Sequence, residues 1–473
     1  MDTLFTQLIE QLNACDQQHV LQHWQSINDN DKRQLAAQIE QIDLPGIRSL
    51  FAQFSQQAEV APDLSKLTPP NSIRLQQDAT ISPEAAYAQG EKLLRDGRVG
   101  VVIVAGGQGS RLGFPHPKGL FPIGPLSERT LFQFVLDKIA GYEVKYETQI
   151  PLFVMTSPTV HEETVCYFEG NDFFQRRDRV EFFCQRAMPA VDARTGKLLM
   201  KGEAEIFTSP NGHGGMLEAM QSAGILERCQ SQNIDTLFYG QIDNPLSPTC
   251  SPALLGYHSL SESQVTLQTI AKMSPDEKTG NIVAVDGRTQ IIEYSEMPSD
   301  LATSEDAQGQ LKFWAANIAV HVFQTRFLQE IANSASGLPY HFAHKQVAHI
   351  DHQGNPVEPD VPNAIKFERF IFDLLPLAQR TLTVEAARES VFAPVKNASS
   401  ANSSTPRTSR RGISELHRSW LQQAGCSVAD EVTVEIHPTY AVDLPHLLER
   451  SDVPDQITEN TYLVHPERSC YMP

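Results

Sequence analysis

From residue 98 onward the chain alternates between short apolar runs and longer segments with helical periodicity. The runs VGVVIVA, IPLFVMTS and TLFYGQID are rich in β-branched and aromatic residues and have the length of buried strands. The segments TLFQFVLDKIAGY and HGGMLEAMQSAGILERC place apolar residues at helical spacing. This alternation is typical of a mostly parallel sheet with helices on its faces, in which ligands bind beyond the carboxyl ends of the strands. We therefore predict an α/β fold.

The regions on either side have a different character. Residues 1–95 are Gln-rich and carry apolar stripes at helical spacing, which predicts a helical N-terminal domain. Residues 397–412 read NASSANSSTPRTSRRG, which favours a polar, mobile loop. A helical stretch and short β-rich pieces follow. With a length of 473 residues, two or three domains are expected, and we place them at 1–95, 96–400 (the α/β domain) and 401–473 (a small β-rich domain).

Composition excludes several classes of partner. The chain carries 38 basic and 57 acidic residues, a formal charge of -19, which argues against general binding to nucleic acid or membranes. A site for a polyanion must then be a local basic pocket. The 7 cysteines include no CxxC pair, and no apolar run approaches the roughly 20 residues of a membrane span. The first residues, MDTLFTQLIEQ, do not resemble a secretory leader. These features predict a reduced, cytoplasmic protein.

The stretch VVIVAGGQGSRLGFPHPKG turns from a strand-like run into a glycine-rich loop. It does not fit the dinucleotide fingerprint, because Leu112 stands where the third glycine of G-x-G-x-x-G belongs. It does not fit the Walker A loop either, because Pro117 precedes Lys118 and Gly119 follows it. Both common interpretations of such a loop therefore fail on spacing.

The residue types of this loop still indicate an anionic ligand. Gly106, Gly107 and Gly109 would let the backbone approach a ligand closely and expose N–H groups. Arg111 adds a forked donor suited to phosphate oxygens, and Lys118 adds a point charge. A structural turn that carries two surface cations is the alternative.

The loop AGGQGSRLGFPHPKG resembles the signature loop of the UTP-dependent sugar-1-phosphate uridylyltransferases, and within them it is most similar to the eukaryotic-type UDP-N-acetylhexosamine pyrophosphorylases. The resemblance continues in order over about residues 100–425. The matching segments are FFCQRAMPAV, SPNGHGGMLEAM, YGQIDNPL, IIEYSEM, FWAANIAVHVF, LPYHFAHKQVAHID, NAIKFERFIFDLL, FAPVKN and STPRTSRRGISELHRSW. The loop alone is moderately specific, and the ordered set is strongly so.

The resemblance implies a fold and a reaction. The fold would be a GT-A-like, Rossmann-related nucleotidyltransferase domain. The partners would be UTP and a sugar 1-phosphate, which give a UDP-sugar and pyrophosphate with Mg²⁺ as cofactor. Arg111 would hold the leaving β and γ phosphates, Lys118 and Lys396 would neutralise charge near the reacting phosphates, and Asp243 would bind the metal ion. Without the resemblance, Lys396 reads as a solvated surface lysine and Asp243 equally well as a cap or turn residue.

The resemblance also assigns the recognition of the base and of the sugar. It places the uracil near Ala105, Gly106 and Gly107 and against Gln185, Asn211 and Gly212, where an amide such as Gln185 can both donate and accept. It assigns the sugar to Gly280, Glu293, Asn317 and Phe372. Phe372, like Tyr340 and His341 near it, could equally belong to the core.

Some positions depart from the hexosamine pattern. His213 stands where the hexosamine enzymes usually carry Asn, as in the G-H-G of UDP-glucose and broad UDP-sugar pyrophosphorylases. Trp314 and Ala316 depart in the segment around Asn317. N-acetylglucosamine 1-phosphate is the leading substrate, and glucose 1-phosphate or several sugars are the alternative. A protein that binds nucleotide sugars without catalysis is a third hypothesis, which the presence of Arg111 and Lys118 speaks against. The oligomeric state stays open.

Overall fold

The apolar runs of the sequence form one large mixed sheet. The computed structural model describes residues 2–56, 64–75, 80–334 and 337–465. Within them the chain folds into two compact units. The smaller unit comprises Met1–Pro62, Gln185–Met216 and Ser336–Asp373, and the larger unit comprises Asp63–Cys184, Leu217–Ala335 and Leu374–Pro473.

The smaller unit begins with three helices, α1 (Asp2–Ala14), α2 (Asp29–Gln41) and α3 (Leu44–Gln56). Their apolar stripes bury residues such as Leu12, Leu35 and Ile39, which are fully buried. These residues share one core with Ile365 and Phe367. The strands of this unit are Ala187–Pro189, Val191–Asp192, Met200–Gly202, Glu205–Ile206, Thr208–Pro210, His341–Lys345, His349–Ile350, Pro356–Val357 and Ala364–Glu368.

The larger unit is built on a sheet of 11 strands. In chain order these are β1 (Leu67–Thr68), β2 (Ser72–Ile73), β3 (Val99–Val104), β4 (Leu152–Thr156), β5 (Val180–Cys184), β6 (Thr236–Gln241), β7 (Val265–Ala271), β8 (Asn281–Val285), β9 (Arg288–Ile292), β10 (Ala315–Gln324) and β11 (Thr381–Glu385). The main path runs β2-β11-β7-β10-β6-β3-β4-β5, while β8 joins β10 and pairs with β1 and β9. Strand β10 is antiparallel to both neighbours on the path, and the other pairs along the path are parallel.

Helices cover this sheet and connect its strands. After residue 82 they are α4 (Pro83–Arg95), α5 (Leu131–Tyr146), α6 (His161–Gly170), α7 (Gly215–Ser222), α8 (Ile225–Ser231), α9 (Pro252–Leu260), α10 (Ser299–Ala302), α11 (Thr325–Ala332), α12 (Arg388–Val391), α13 (Pro406–Gln423) and α14 (Leu444–Leu448). Helices α4 and α9 cross at glycines, where a Cβ on Gly90 would lie 1.8 Å from the Pro252 oxygen and a Cβ on Gly256 1.7 Å from the Ala86 oxygen. Only glycine permits this close contact.

After α13 in the sequence, the chain forms two short pairs of parallel strands. Ser427–Val428 pairs with Gln456–Ile457, and Val434–Ile436 pairs with Thr461–Leu463. These strands share a small core with Leu421 of α13. The prediction of an α/β sheet with a helical N-terminal part and a small β-rich C-terminal part is confirmed. The predicted division at residues 95 and 400 stays a prediction.

The predicted loop over residues 397–412 is wrong in its second half. Helix α13 begins at Pro406, and Thr405 caps it by accepting a hydrogen bond from the Thr408 N–H while the Thr408 hydroxyl accepts from the Thr405 N–H. Buried residues recur every fourth position from Ser409 to Leu421. A polar, Ser-rich composition concealed the start of this stripe, because its first member, Ser409, is a small polar residue.

Within the described ranges no helix is long and apolar enough to cross a membrane.

Candidate active site

The glycine-rich loop follows β3 and folds back on itself. The Lys118 N–H donates to the Gly107 oxygen at 3.0 Å, and the Gly109 N–H donates to the His116 oxygen at 2.9 Å. Ser157, which follows β4, donates from its hydroxyl to the Gly106 oxygen at 2.7 Å. These bonds place Lys118 beside the glycines at the carboxyl end of the parallel strands, although the two are separated in sequence.

The glycines of the loop have different roles. A Cβ on Gly107 would meet no atom within 4 Å, so this backbone borders open space. A Cβ on Gly109 would lie 2.7 Å from the Phe114 oxygen. At Gly109 the close contact with Phe114 explains the need for glycine, because it closes the loop. The approach of a ligand is therefore not needed to explain glycine at this position. Ala105, at the end of β3, is 1 % exposed.

Asp243 and three cations meet next to this loop. Asp243 follows β6, and its Oδ2 lies 3.8 Å from Lys118 Nζ; both side chains are 13 % exposed. Burial lowers the pKa of Lys118, the carboxylate of Asp243 opposes this, and the charges of Arg111 and Lys396 lower it further. Arg111 and Lys396 are themselves exposed. The predicted charged residues are thus close enough to influence Lys118, and together they form a group with a net positive charge in an acidic protein.

Backbone and side-chain bonds hold the segment that carries Lys396. The Val395 N–H donates to the backbone carbonyl oxygen of Asp243 at 2.8 Å. Asn244 donates to the Val391 oxygen at 2.7 Å and accepts from the Ala393 N–H at 3.0 Å. Asn244 is 6 % exposed. It therefore fastens the segment before Lys396 to the turn that carries Asp243, and we call this arrangement the Asn244 clamp.

The three residues assigned to the sugar in the larger unit also come together. The Asn317 N–H donates to the Gly280 oxygen at 2.8 Å, and a Cβ on Gly280 would lie 3.3 Å from Glu293 Oε1. The register between β7 and β10 shifts at this point, and Asn317 Oδ1 accepts from the Ala319 N–H at 2.9 Å, which leaves its amide N–H₂ as a donor. Burial, followed by repulsion from Glu296, raises the pKa of Glu293.

Two of the departures from the hexosamine pattern are interior residues. Trp314 is 5 % exposed and packs under the guanidinium of Arg74, whose carbon lies 3.8 Å from the ring centroid. Ala316 is fully buried and pairs with Asn281 across β8. Both side chains are buried on the segment that leads into Asn317, so we expect these two changes to affect a sugar through the position of Asn317.

The smaller unit contains the other predicted nucleotide contacts. Gln185 is 6 % exposed and Asn211 is 1 % exposed. The Asn211 carbonyl oxygen accepts from the Arg369 N–H at 2.8 Å, and a Cβ on Gly212 would lie 2.4 Å from the Arg369 oxygen. Gly212 also has a φ of 82°, which favours glycine. The Oδ1 atom of Asn211 is buried and accepts no hydrogen bond from the described residues.

Phe372 belongs to an aromatic group in the same unit. It stacks on Phe370 at 4.9 Å between ring centroids and lies 5.6 Å from the ring of His213. Burial lowers the pKa of His213 to about 4, and its Nδ1 accepts from the Ile371 N–H at 3.1 Å. His213 is therefore neutral near pH 7, with its remaining proton on Nε2. His341, whose Nε2 donates to Asp373 Oδ2 at 2.8 Å, lies against Phe370.

The donor set near Asp243 fits a magnesium ion held mainly by a substrate. The part of the chain that the structure describes contains no group of three or more His, Cys, Asp or Glu side chains suited to a metal ion. Mg²⁺ prefers oxygen ligands and is commonly held by one or two carboxylates together with phosphate oxygens. Asp243 supplies one such carboxylate beside the cations that would meet the phosphates.

Sequence reasoning missed Asn244 and Ser157. Asn244 directly follows Asp243 in the motif IDNP, and an Asn before a Pro is common in turns, so its type gave no sign of another role. Ser157 follows β4, so the rule that ligands bind beyond strand ends could have identified it. Its bond to the Gly106 oxygen makes it a support for the loop.

Comparison with known proteins places this geometry in a family. Residues 45–417 match the family model described as UTP–glucose-1-phosphate uridylyltransferase. The UDP-N-acetylhexosamine pyrophosphorylase-like protein 1 of Xenopus tropicalis is 30% identical over 90% of this chain and 86% of that protein. The UDP-N-acetylglucosamine pyrophosphorylase of Saccharomyces cerevisiae is 30% identical over 89% of this chain and 92% of that protein. The crystal structure of the enzyme of that name from Trypanosoma brucei, in complex with an inhibitor, has a TM-score of 0.80 at 26% identity and covers 98% of this chain and 99% of that one.

The chain belongs to the UTP–glucose-1-phosphate uridylyltransferase family, a family of nucleotidyltransferases. The resemblance inferred from the sequence is thereby confirmed.

Proposed function

We propose that the protein transfers the uridylyl group of UTP to N-acetylglucosamine 1-phosphate and releases pyrophosphate. The observation that carries this proposal is the cluster of Arg111, Lys118 and Lys396 around Asp243 beside the open backbone of Gly107. Such a cluster suits two polyanionic reactants that must meet without strong repulsion. The names of the relatives from Xenopus tropicalis and Saccharomyces cerevisiae support the hexosamine as the sugar.

In this reaction a phosphate oxygen of the sugar 1-phosphate attacks the α-phosphorus of UTP in line. The new P–O bond forms as the bond from the α-phosphorus to the oxygen that bridges to the β-phosphate breaks, and pyrophosphate leaves with that electron pair. Lys118 neutralises charge that grows around the α-phosphate, Arg111 holds the departing phosphates, and Lys396 holds the attacking phosphate. No covalent protein nucleophile is required.

Asp243 would hold Mg²⁺, which neutralises phosphate charge when it is bound. The carboxylate also acts without the ion, because it raises the pKa of Lys118 against the effect of burial. It thus favours the charged form of the lysine that the phosphates need.

The residues that the resemblance assigns to the base and to the sugar would recognise the two substrates. Ala105, Gly106 and Gly107 would contact the uracil through their backbone. The resemblance also assigns Gln185, Asn211 and Gly212 of the smaller unit to the base: the side-chain amide of Gln185 can both donate and accept, and the Oδ1 of Asn211 can accept from a donor on the ligand. Gly280, Glu293 and Asn317 would bind the sugar hydroxyls, and Phe372 would provide an apolar wall.

Glucose 1-phosphate is the second candidate substrate. The observation that favours it is His213, which is neutral and lies against the ring of Phe372, at a position where the hexosamine enzymes usually carry Asn. A non-catalytic nucleotide-sugar-binding protein is the candidate from another class. It would not need the cluster of Lys118 and Asp243, so the cluster favours catalysis.

We further propose that the protein works in the cytoplasm on these small molecules and needs no nucleic acid or membrane.

The test is pyrophosphate release from UTP, N-acetylglucosamine 1-phosphate and Mg²⁺. Lys118→Ala and Lys396→Ala should each lower kcat by about 10²–10³ with the fold intact, since each removes one charge from a preorganised site. Lys201→Ala is the matched control, because Lys201 is exposed and pairs with Glu205. Near-normal turnover in either of the first two variants would contradict the assigned role.

A further inference from the structure

The larger unit contains a second cavity whose residues take no part in the proposed reaction. Its volume is about 210 Å³. Its walls come from α5, the segment 245–251, α13 and the segment 435–443. An apolar cavity of about 150 Å³ accommodates benzene, so this one has room for a benzene ring with a small polar substituent.

Lys138 lines this cavity from α5 and forms no ion pair with a carboxylate of the described residues. Its Nζ donates to the Pro245 and Ser247 oxygens, both at 2.7 Å, which uses two of its three N–H groups. Burial lowers the pKa of Lys138 to about 7. A buried ammonium group is normally balanced by a negative charge, and Lys138 has only carbonyl dipoles.

The carboxylates around the cavity are satisfied elsewhere. Asp137 forms a bidentate pair with Arg129. Glu435 accepts from the N–H groups of Leu126 and Ser127 and from the Ser127 hydroxyl. Asp443 accepts from the hydroxyls of Tyr87 and Tyr142 and from the His446 N–H. The donors to Glu435 and Asp443 are neutral, so these two carboxylates keep their charge, but neither they nor Asp137 forms an ion pair with Lys138.

His417 supplies a second donor to the same cavity. Its Nδ1 accepts from the Ile436 N–H at 3.1 Å, so the proton of the neutral ring is on Nε2. No described residue accepts from that Nε2, although the side chain is only 8 % exposed. Burial lowers the pKa of His417 to about 3, and the charge of Lys138 contributes, which places the two groups close together.

The rest of the lining is largely apolar. It includes Phe134, Val391, Leu416, Trp420 and Val442. The cavity therefore combines two unmet N–H donors, one of them cationic, with an apolar wall of aromatic and aliphatic side chains. Small-ligand sites commonly combine an apolar lining with a few placed polar groups in this way.

We propose that this cavity binds a small organic carboxylate with a compact apolar body. The carboxylate accepts from Lys138 and from His417 Nε2, and the apolar body lies against Leu416 and Trp420. Such a ligand supplies the negative charge that Lys138 lacks and excludes water from the apolar wall.

Two residues that line this cavity are connected to the candidate active site. Pro245 follows the Asn244 clamp in sequence, and Val391 accepts the hydrogen bond from Asn244. A ligand that fixes these two walls also fixes the segment that carries Lys396. Its occupancy should therefore change turnover, a consequence that rests on the proposed function.

Benzoate is the probe, with benzamide as its neutral isostere. Titrated into the full chain without UTP or sugar phosphate at about pH 6, where the Lys138 ammonium is charged, benzoate should bind saturably and raise Tm. Benzamide should bind at least about tenfold more weakly. Lys138→Met should lose the preference for benzoate, and Leu416→Trp should block both ligands by filling the cavity.

The outcomes separate the two parts of the proposal. Absence of saturable benzoate binding, equal binding of benzamide, or an unchanged preference in Lys138→Met overturns the site. Should Lys138→Met fail to fold, Leu416→Trp decides, because benzoate binding that survives in it overturns the site as well. Benzoate that binds without changing kcat overturns the link to turnover alone. Binding needs no catalysis, so it is measured independently of the proposed function.

Discussion

Replacing Asn244 by alanine removes the clamp without touching any charged residue of the candidate active site. The side chain makes two hydrogen bonds, to the Val391 oxygen at 2.7 Å and from the Ala393 N–H at 3.0 Å. Alanine leaves both backbone groups without a partner in a region where Asn244 itself is 6 % exposed. Each of the two unmet groups costs roughly 1–3 kcal/mol, so we expect the free energy of unfolding to fall by about 2–6 kcal/mol.

The effect on turnover should exceed what this loss of stability explains. The segment before Lys396 is also held by the bond from the Val395 N–H to the Asp243 oxygen, so it loosens without detaching. A displacement of about 1 Å at a catalytic group can lower the rate roughly 10²-fold. We therefore expect kcat for pyrophosphate release to fall by about 10–100-fold, with KM for UTP little changed.

A double-mutant cycle separates positioning from simple destabilisation. In the Lys396→Ala background, Asn244→Ala should leave kcat unchanged and still lower Tm, because the group that it positions is absent. Asn363→Ala is the matched control, since Asn363 likewise accepts from the Val347 N–H and donates to the Val347 oxygen. It should lower Tm and keep kcat. Equal additional losses of kcat in both backgrounds would refute the argument that Asn244 acts through Lys396.

Three further predictions concern stability, pH and metal. Gly90→Ala should lower the free energy of unfolding by about 1–3 kcal/mol in chemical denaturation, because its Cβ would lie 1.8 Å from the Pro252 oxygen. Gly107→Ala is the comparison, because no atom lies within 4 Å of a Cβ added at this position. We expect an unchanged Tm and a higher KM for UTP. A normal KM would contradict contact between Gly107 and the base. Burial lowers the pKa of His213 from 6.5 to about 4, so the unfolded chain takes up the proton first as pH falls. The free energy of unfolding, measured at successive pH values, should fall by about 3 kcal/mol between about pH 6.5 and about pH 4, and His213→Asn should reduce this fall. An equal fall in that variant would contradict the assignment of the effect to His213. Asp243→Asn should raise the Mg²⁺ concentration for half-maximal activity, and an unchanged metal titration would remove Asp243 as a ligand.

The parts of the fold that follow local patterns could be predicted from the sequence. Strands β3, β4 and β6 are short, β-branched apolar runs, and burial on both faces requires such composition. Helix α13 was missed in its first turns because Ser409 stands on its buried stripe and the residues around it are polar. The smaller unit is assembled from three separate stretches of chain, and no local pattern reports such an assembly.

The candidate site could be predicted to a similar depth. Lys118 and Asp243 follow neighbouring parallel strands, so their proximity follows from the sheet once the strands are recognised. The Asn244 clamp joins residues 147 positions apart, and nothing in the spacing of the sequence indicates it. The different roles of Gly107 and Gly109 needed coordinates as well, because both are compatible with a ligand loop until their neighbours are known.

The most direct test of the central claim is the substrate profile of the purified chain. With Mg²⁺, each of UTP, ATP and dTTP is combined with N-acetylglucosamine, N-acetylgalactosamine or glucose 1-phosphate, and released pyrophosphate is measured. We predict turnover with UTP and N-acetylglucosamine 1-phosphate and little with ATP or dTTP. A preference for glucose 1-phosphate would select the second candidate substrate. Absence of pyrophosphate release from every pair, with the chain folded and able to bind UTP, would contradict catalysis.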